Sequence, residues 1–277
     1  MSRHASAGLV LALLCGTAFA DGPPTETTAD VEMGQTWRVL REIGAPAVLP
    51  GAPDTAAVLR RQPPSVCRAA GGYESGDADT RLRRAVRKAQ VALWVAAPAP
   101  APPELAAEVA RARKAWRADP SCFRAEYRAP APRGEGRFKE AVLRDSREAA
   151  RILLGLSEAL EELEEAGPGR AREPRRWRAN YDLMLARLRL QVAQVYEHQS
   201  MLGRLRKDAP PLERAVHGGW RLVRSQTMTG DPAGRKMARG AHQALDLIMS
   251  DYPGTPWEVL ARHAREAPIG LTLQPVK

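Results

Sequence analysis

FKEAVLRDSREAARILLGLSEALEELEEA, residues 138–166, and RRWRANYDLMLARLRLQVAQVYEHQSMLGRLRK, residues 175–207, are the two stretches that decide the fold. In the first, Phe138, Val142, Ala149, Ile152, Leu153, Leu156, Leu160 and Leu163 recur mostly at helical spacing, which puts them on one face of a helix running to about Ala166. In the second, Trp177, Tyr181, Leu185, Leu188, Val192 and Val195 form a comparable stripe, which Leu202 and Leu205 continue toward Lys207. Gly167-Pro168-Gly169 interrupts the pattern between them, and the second helix starts beyond Pro174. Two long helices joined by so short a loop fold back on each other as an antiparallel hairpin.

The charges fit that pairing. Glu158, Glu161, Glu162, Glu164 and Glu165 crowd the end of the first helix, while Arg170, Arg172, Arg175, Arg176 and Arg178 crowd the start of the second. Each cluster opposes its own helix dipole, but in a hairpin both lie at the same end and can neutralise one another. The other reading of the five arginines is an anion-binding site, since guanidinium groups near a helix N-terminus can hold phosphate or carboxylate. The hairpin explanation is the simpler one.

Working outward, Pro210-Pro211 leads into a loop carrying His217-Gly218-Gly219-Trp220-Arg221-Leu222, and a helix is predicted over 234–250. Tyr252-Pro253-Gly254-Thr255-Pro256 breaks it, and Thr255 with Pro256 forms a recognised start for a last helix through Trp257, Val259, Leu260 and Ala261. Upstream, helices are predicted over 77–97 and 104–118, separated by a proline-rich connector at 98–103, and a further break spans 129–136. Shorter helical patterns lie at 25–44 and 54–62, and no stretch shows strand alternation of comparable quality. The expected fold is therefore all-α, a helical bundle built on the long hairpin with a helix-turn-helix at its C-terminal end. Residues 21–133 read as an N-terminal helical region with proline-rich linkers, and 134–277 as the hairpin domain.

Residues 1–20 read as a secretory signal: Arg3 and His4, then the apolar AGLVLALL run at 7–14, then Ala18-Phe19-Ala20 as a small-x-small cleavage site before Asp21. A retained anchor is disfavoured because that run is far short of the roughly 20 residues a bilayer requires, and Cys15 lacks the small preceding residues of a lipidation site. The chain is expected to be periplasmic or secreted, with no membrane span after cleavage. Cys67 and Cys122 then remain, either as a disulfide or as two free buried thiols.

The formal net charge of +10 suggests nucleic acid or another polyanion. The basic residues divide into 36 Arg and 6 Lys, however, which together with abundant Ala, Gly and Pro reflects a GC-rich coding bias.

The second half resembles the helical C-terminal region of exported bacterial proteins that carry a von Willebrand factor A domain. The resemblance rests on Arg175 to Asp182, Leu185-Ala186-Arg187, Val195-Tyr196-Glu197, Leu202-Gly203, Arg206-Lys207-Asp208, Gly219 to Leu222, Pro253 to Ala261 and Gly270-Leu271. It covers about residues 138–275 and implies a helical, exported protein but no activity. The A domain itself is missing, since no hydrophobic strand precedes an Asp-x-Ser-x-Ser motif, so its metal site does not carry over. A fainter likeness joins Ala244 to Ala261 to the tetratricopeptide-type units of periplasmic scaffolds, although no 34-residue repeat recurs.

Catalytic patterns are missing. His198, His217, His242 and His263 lack metal-ligand spacing, and no Gly-x-Ser-x-Gly elbow, dinucleotide fingerprint or phosphate loop occurs. Of the histidines only His217, on a glycine-rich loop, merits a first test as a site residue. Trp177, Tyr181, Trp220, Tyr252 and Trp257 fit core packing better than a ligand groove. The expected function is a non-enzymatic, exported scaffold with a protein partner in the envelope and no cofactor or metal. The alternative is an Arg-rich polyanion binder using faces such as 81–88 and 170–178, and an unrecognised enzyme ranks third.

Overall fold

The computed structural model describes residues 79–277 apart from Pro132, together with five isolated upstream positions at 58, 59, 61, 62 and 66. The predicted signal, the 25–44 helix, most of the 54–62 segment and Cys67 lie outside the described residues. Among those described, the order is α1 (Arg81–Ala96), α2 (Pro103–Trp116), a 3-10 turn (Pro120–Cys122), β1 (Glu126–Arg128) and α3 (Glu135–Ala166). A second 3-10 turn (Gly167–Arg172) leads to α4 (Arg175–Lys207), β2 (Gly219–Ser225), α5 (Pro232–Asp251), α6 (Pro256–Glu266) and β3 (Gly270–Val276).

Local chemistry sets the helix boundaries. Thr80 caps α1 by accepting from the Arg83 amide, Asp231 caps α5 by accepting from Ala233, and Thr255 caps α6 by accepting from Glu258. Proline opens α2, α5 and α6 at the first helical position, where a missing N–H costs nothing. Gly254, at φ 71°, makes the left-handed bend between α5 and α6, and its amide donates to Glu258 Oε2.

α3 and α4, each about 50 Å long, pair antiparallel as expected. Ser146 near the start of α3 donates to Gln199 near the end of α4 at 2.6 Å, while Glu164 at the other end of α3 meets Arg189 at 2.8 Å. The partners taken by the α3 acids correct the expectation of neutralisation across the turn. Glu165 pairs with Arg81 at 2.7 Å and Glu162 with Lys88, both from α1, because α1 packs along α3 and brings its own basic face against the acidic one.

α4 is the central element. α3, α5 and α1 all pack on it, and β3 covers part of its surface. Its burial consequently runs round the helix, taking in Ala179, Leu183, Met184, Ala186, Ala193 and Met201 as well as the predicted stripe. One core joins residues of α1, the first 3-10 turn, β1, α3, α4, β2, α5, α6 and β3. The proline-rich break at 129–136 therefore does not divide the core, since residues on both sides of it belong to one cluster.

The bundle also carries a small antiparallel sheet in the order β1-β2-β3, although no stretch of the sequence shows clear strand alternation. The predicted loop at 217–222 is largely strand: Trp220 pairs with both Tyr127 and Pro275, and Leu222 with Leu273. Tyr127, Trp220, Leu271 and Leu273 are buried in the same core as the helices. β3 is an edge strand whose Leu271 amide donates to Glu197 and whose Pro275 lacks an N–H, so both positions are closed to a further strand.

Gly219 on β2 lies tight against β1, and a Cβ there would overlap the Tyr127 carbonyl oxygen and lie 2.9 Å from the Arg128 Cα. Gly219→Ala is expected to separate the strands and destabilise the fold by about 1 to 3 kcal/mol. Amide exchange should report it directly. The bonds Leu222 N–H to Ala125 and Ala129 N–H to Gly218 flank the contact, and their protection should fall most.

Candidate functional site

The five candidate arginines do not converge. Arg170 makes a bidentate pair with Asp182, at 2.7 and 2.6 Å, and also donates to the Tyr252 hydroxyl at 3.3 Å. That hydroxyl donates in turn to Asp182 at 2.8 Å, so one triad ties the 167–172 turn to α4 and to the end of α5. The carboxylate raises the Arg170 pKa further, and burial together with Asp182 raises that of Tyr252. Arg175 donates to the Asp251 carbonyl at 2.9 Å and lies 5.9 Å from the Tyr252 ring centroid, whereas Arg176 is buried. Arg178 is half-buried, and its Nε has no hydrogen-bond partner among the described residues. Arg172 instead lines a cleft of about 650 Å³ against α1, with Arg81, Thr80, Pro168 and Glu173. There Glu173, buried, accepts from Arg83 Nε at 2.9 Å, and Arg83 stacks 4.9 Å from the Trp177 ring centroid.

His217 takes a structural part, its Nδ1 accepting the Glu213 amide at 3.2 Å within the 208–218 loop. Trp257 is fully buried and donates to Asn180 Oδ1 at 2.8 Å, and Tyr252 lies against it with ring centroids 6.3 Å apart.

Two further carboxylates, Glu197 and Asp145, lie in the interior, marked by no motif in the sequence. Glu197 on α4 is 0 % exposed and accepts the amides of Thr229 at 3.0 Å, Gly230 at 2.8 Å and Leu271 at 3.4 Å. A single carboxylate thus holds both the β2–α5 loop and the start of β3. Asp145 on α3, also buried, meets Arg124 at 3.1 Å and the Tyr127 hydroxyl at 3.4 Å, and burial raises its pKa. Cys122 is buried near by, and desolvation, aided by Asp145, pushes its thiol up to about 12, so it is not a thiolate at neutral pH. Whether it pairs with Cys67 lies outside the described residues.

His198 is 1 % exposed, packed edge-on to Phe123 at 5.0 Å, and neither ring nitrogen has a hydrogen-bond partner among the described residues. Burial lowers its pKa to about 4. Between the ordinary value of 6.5 and about 4 the unfolded chain binds this proton and the native one does not, so stability falls as pH drops through that window. His198→Leu is expected to keep neutral-pH stability while removing about 2 to 3 kcal/mol of the loss between pH 7 and 4.5. Urea midpoints of the two proteins at both pH values check this. An equal acid loss in both would show that other groups cause it.

An open groove of about 260 Å³ lies between Ala129-Pro130 and the 208–214 loop, over the start of α3 and the end of α4. Phe138, Leu205, Leu212 and Trp220 line it, with Pro130, Pro210 and Pro211 as walls. The Trp220 indole donates to the Pro210 carbonyl at 2.8 Å and its ring centroid lies 5.7 Å from that of Phe138. Lys139, Arg206, Lys207 and Arg214 form the rim, with Glu135 as the one carboxylate.

Among the described residues no group of three or more His, Cys, Asp and Glu side chains has metal-holding geometry, and no helix is long and apolar enough to cross a membrane. The fold is that of a mainly helical bundle with a small antiparallel sheet. Comparison with known proteins adds no relative, for no family model matches the chain and no curated protein or solved structure shows significant similarity to it.

Proposed function

We propose that this chain is an exported, non-enzymatic helical scaffold that holds a protein partner at the cell envelope. The observation that carries the reading is the use made of its charged side chains. On the basic faces that an anionic polymer would require, Arg81 is tied to Glu165, Arg87 to Glu108, Lys88 to Glu162 and Arg170 to Asp182. Exposed pairs of this kind contribute only about 0 to 1 kcal/mol each, but they leave less uncompensated charge for a polyanion. The carboxylates of Asp182, half-buried, and Glu197, fully buried, fasten one element to another in the same way. The likeness of the α5–α6 pair to tetratricopeptide-type units of periplasmic scaffolds points in the same direction.

Affinity purification of the full chain from an envelope fraction, at low and at moderate salt, tests the reading. A protein partner retained in fixed stoichiometry at both is the expected result. Retention of an anionic polymer instead, with log affinity falling linearly in log salt, would replace it by the polyanion alternative.

A further inference from the structure

We propose that the groove around Trp220 docks an acidic segment of the protein partner, a short stretch in which a large apolar side chain is flanked by carboxylates. The inference rests on the scaffold reading and names the chemistry of its partner. Its first support is uncompensated charge. Lys139 shares its rim position with Glu135, 2.6 Å away, but among the described residues no carboxylate pairs with Arg206, Lys207 or Arg214. This contrasts with the paired bases of α1 and with Arg170, which Asp182 holds. The α4 dipole accounts for cations at its last turn, where Arg206 and Lys207 sit, but not for Arg214, which lies on the following loop.

The second support is the apolar lining beside those cations. Phe138 and Leu212 are only half-buried, and they face the groove with the prolines of both loops. The Trp220 to Pro210 hydrogen bond holds the 208–214 loop against the sheet, so the wall is formed before any ligand arrives. A volume near 260 Å³ takes one or two side chains, below the usual range of small-molecule pockets of roughly 300–1,000 Å³. Cations on both the α4 end and the 208–214 loop call for more than one carboxylate, which favours a peptide segment over a small monocarboxylate. A polymer of charge alone would leave the apolar lining unused.

Fluorescence anisotropy with the full chain tests this, using a labelled octapeptide that sets a Leu-Phe pair between glutamates. Saturable binding is expected, weakened at least about tenfold by the double variant Lys207→Glu, Arg214→Glu, whose exposed positions leave the circular dichroism unchanged, the loss of a cation at the α4 C-terminus lowering the melting temperature by only about 1 to 4 °C. Leu212→Ser should weaken the same peptide, and a glutamine-substituted peptide should bind at least about tenfold less tightly. The proposal is overturned by absence of binding, by equal binding of the glutamine peptide, or by indifference to the charge reversal. Polyglutamate binding as tightly as the probe would assign the surface to charge alone, and displacement by octanoate at similar concentration would assign it to a small carboxylate; either result overturns the peptide reading. If a stoichiometric partner is retained from the envelope fraction but cross-links only outside the groove, this inference falls while the scaffold reading stands.

Discussion

Glu197→Ala is expected to destabilise the protein by about 3 to 5 kcal/mol, lowering the melting temperature by roughly 10 °C. The carboxylate is wholly buried and accepts three backbone amides, from Thr229, Gly230 and Leu271. Alanine leaves those donors without their acceptor, and a buried unsatisfied amide costs about 1 to 3 kcal/mol. It also empties space that Gly230 and Ser200 cannot fill without movement, since Gly230 approaches the Glu197 carboxylate so closely that a Cβ there would lie 2.5 Å from Oε2. Glu197→Gln keeps the volume and one carbonyl acceptor and should cost less than half as much. Denaturant unfolding of the three proteins measures the difference. Amide exchange should locate it, with protection lost first over 226–231 and at Leu271. Similar midpoints for wild type and Glu197→Ala would mean that these amides find other partners.

The second large effect is expected at Trp257, the largest fully buried side chain of the described residues. Trp257→Ala should cost about 3 to 5 kcal/mol through lost burial and the cavity left behind. Trp257→Phe retains most of the apolar contact but loses the indole bond to Asn180, itself 0 % exposed, and should cost about 1 to 2 kcal/mol. The alanine variant should also loosen the Arg170–Asp182–Tyr252 triad, because Tyr252 packs against the indole. Comparing Tyr252→Phe in the wild-type and Trp257→Ala backgrounds measures that coupling. Strictly additive losses would show that the triad stands without Trp257.

Helix existence and limits were legible because their causes are local. The apolar steps from Phe138 to Leu163 and from Trp177 to Leu205, with the Gly167-Pro168-Gly169 break between, predict α3 and α4 to within a few residues. Thr255-Pro256 likewise marks the start of α6. The sheet was not legible. β1, β2 and β3 come from distant parts of the chain, β1 has three residues, and no hairpin turn joins any two of them. Trp220 and Leu222 alternate with Arg221 on β2, but the Gly218-Gly219 pair before them signals a loop more strongly than two apolar residues signal a strand.

The candidate site divides in the same way. Trp220 and the basic residues of α4 could be named from sequence, but their meeting with Phe138, Leu212 and Arg214 depends on segments far apart in the chain coming together at one end of the hairpin. Glu197 and His198 are adjacent on a helix dense in charged residues, whose polar positions ordinarily face solvent. They are interior because α4 is enclosed by α1, α3, α5 and the sheet, so even its polar faces meet protein.

By itself, then, the sequence determined that the protein is built from helices and where most of them begin and end, since caps, prolines and apolar periodicity act within a few residues of each boundary. Only the tertiary structure decided which cation meets which anion, that α4 lies at the centre, and that a sheet closes one side. Those outcomes depend on distances between residues far apart in the chain, which local preference does not encode.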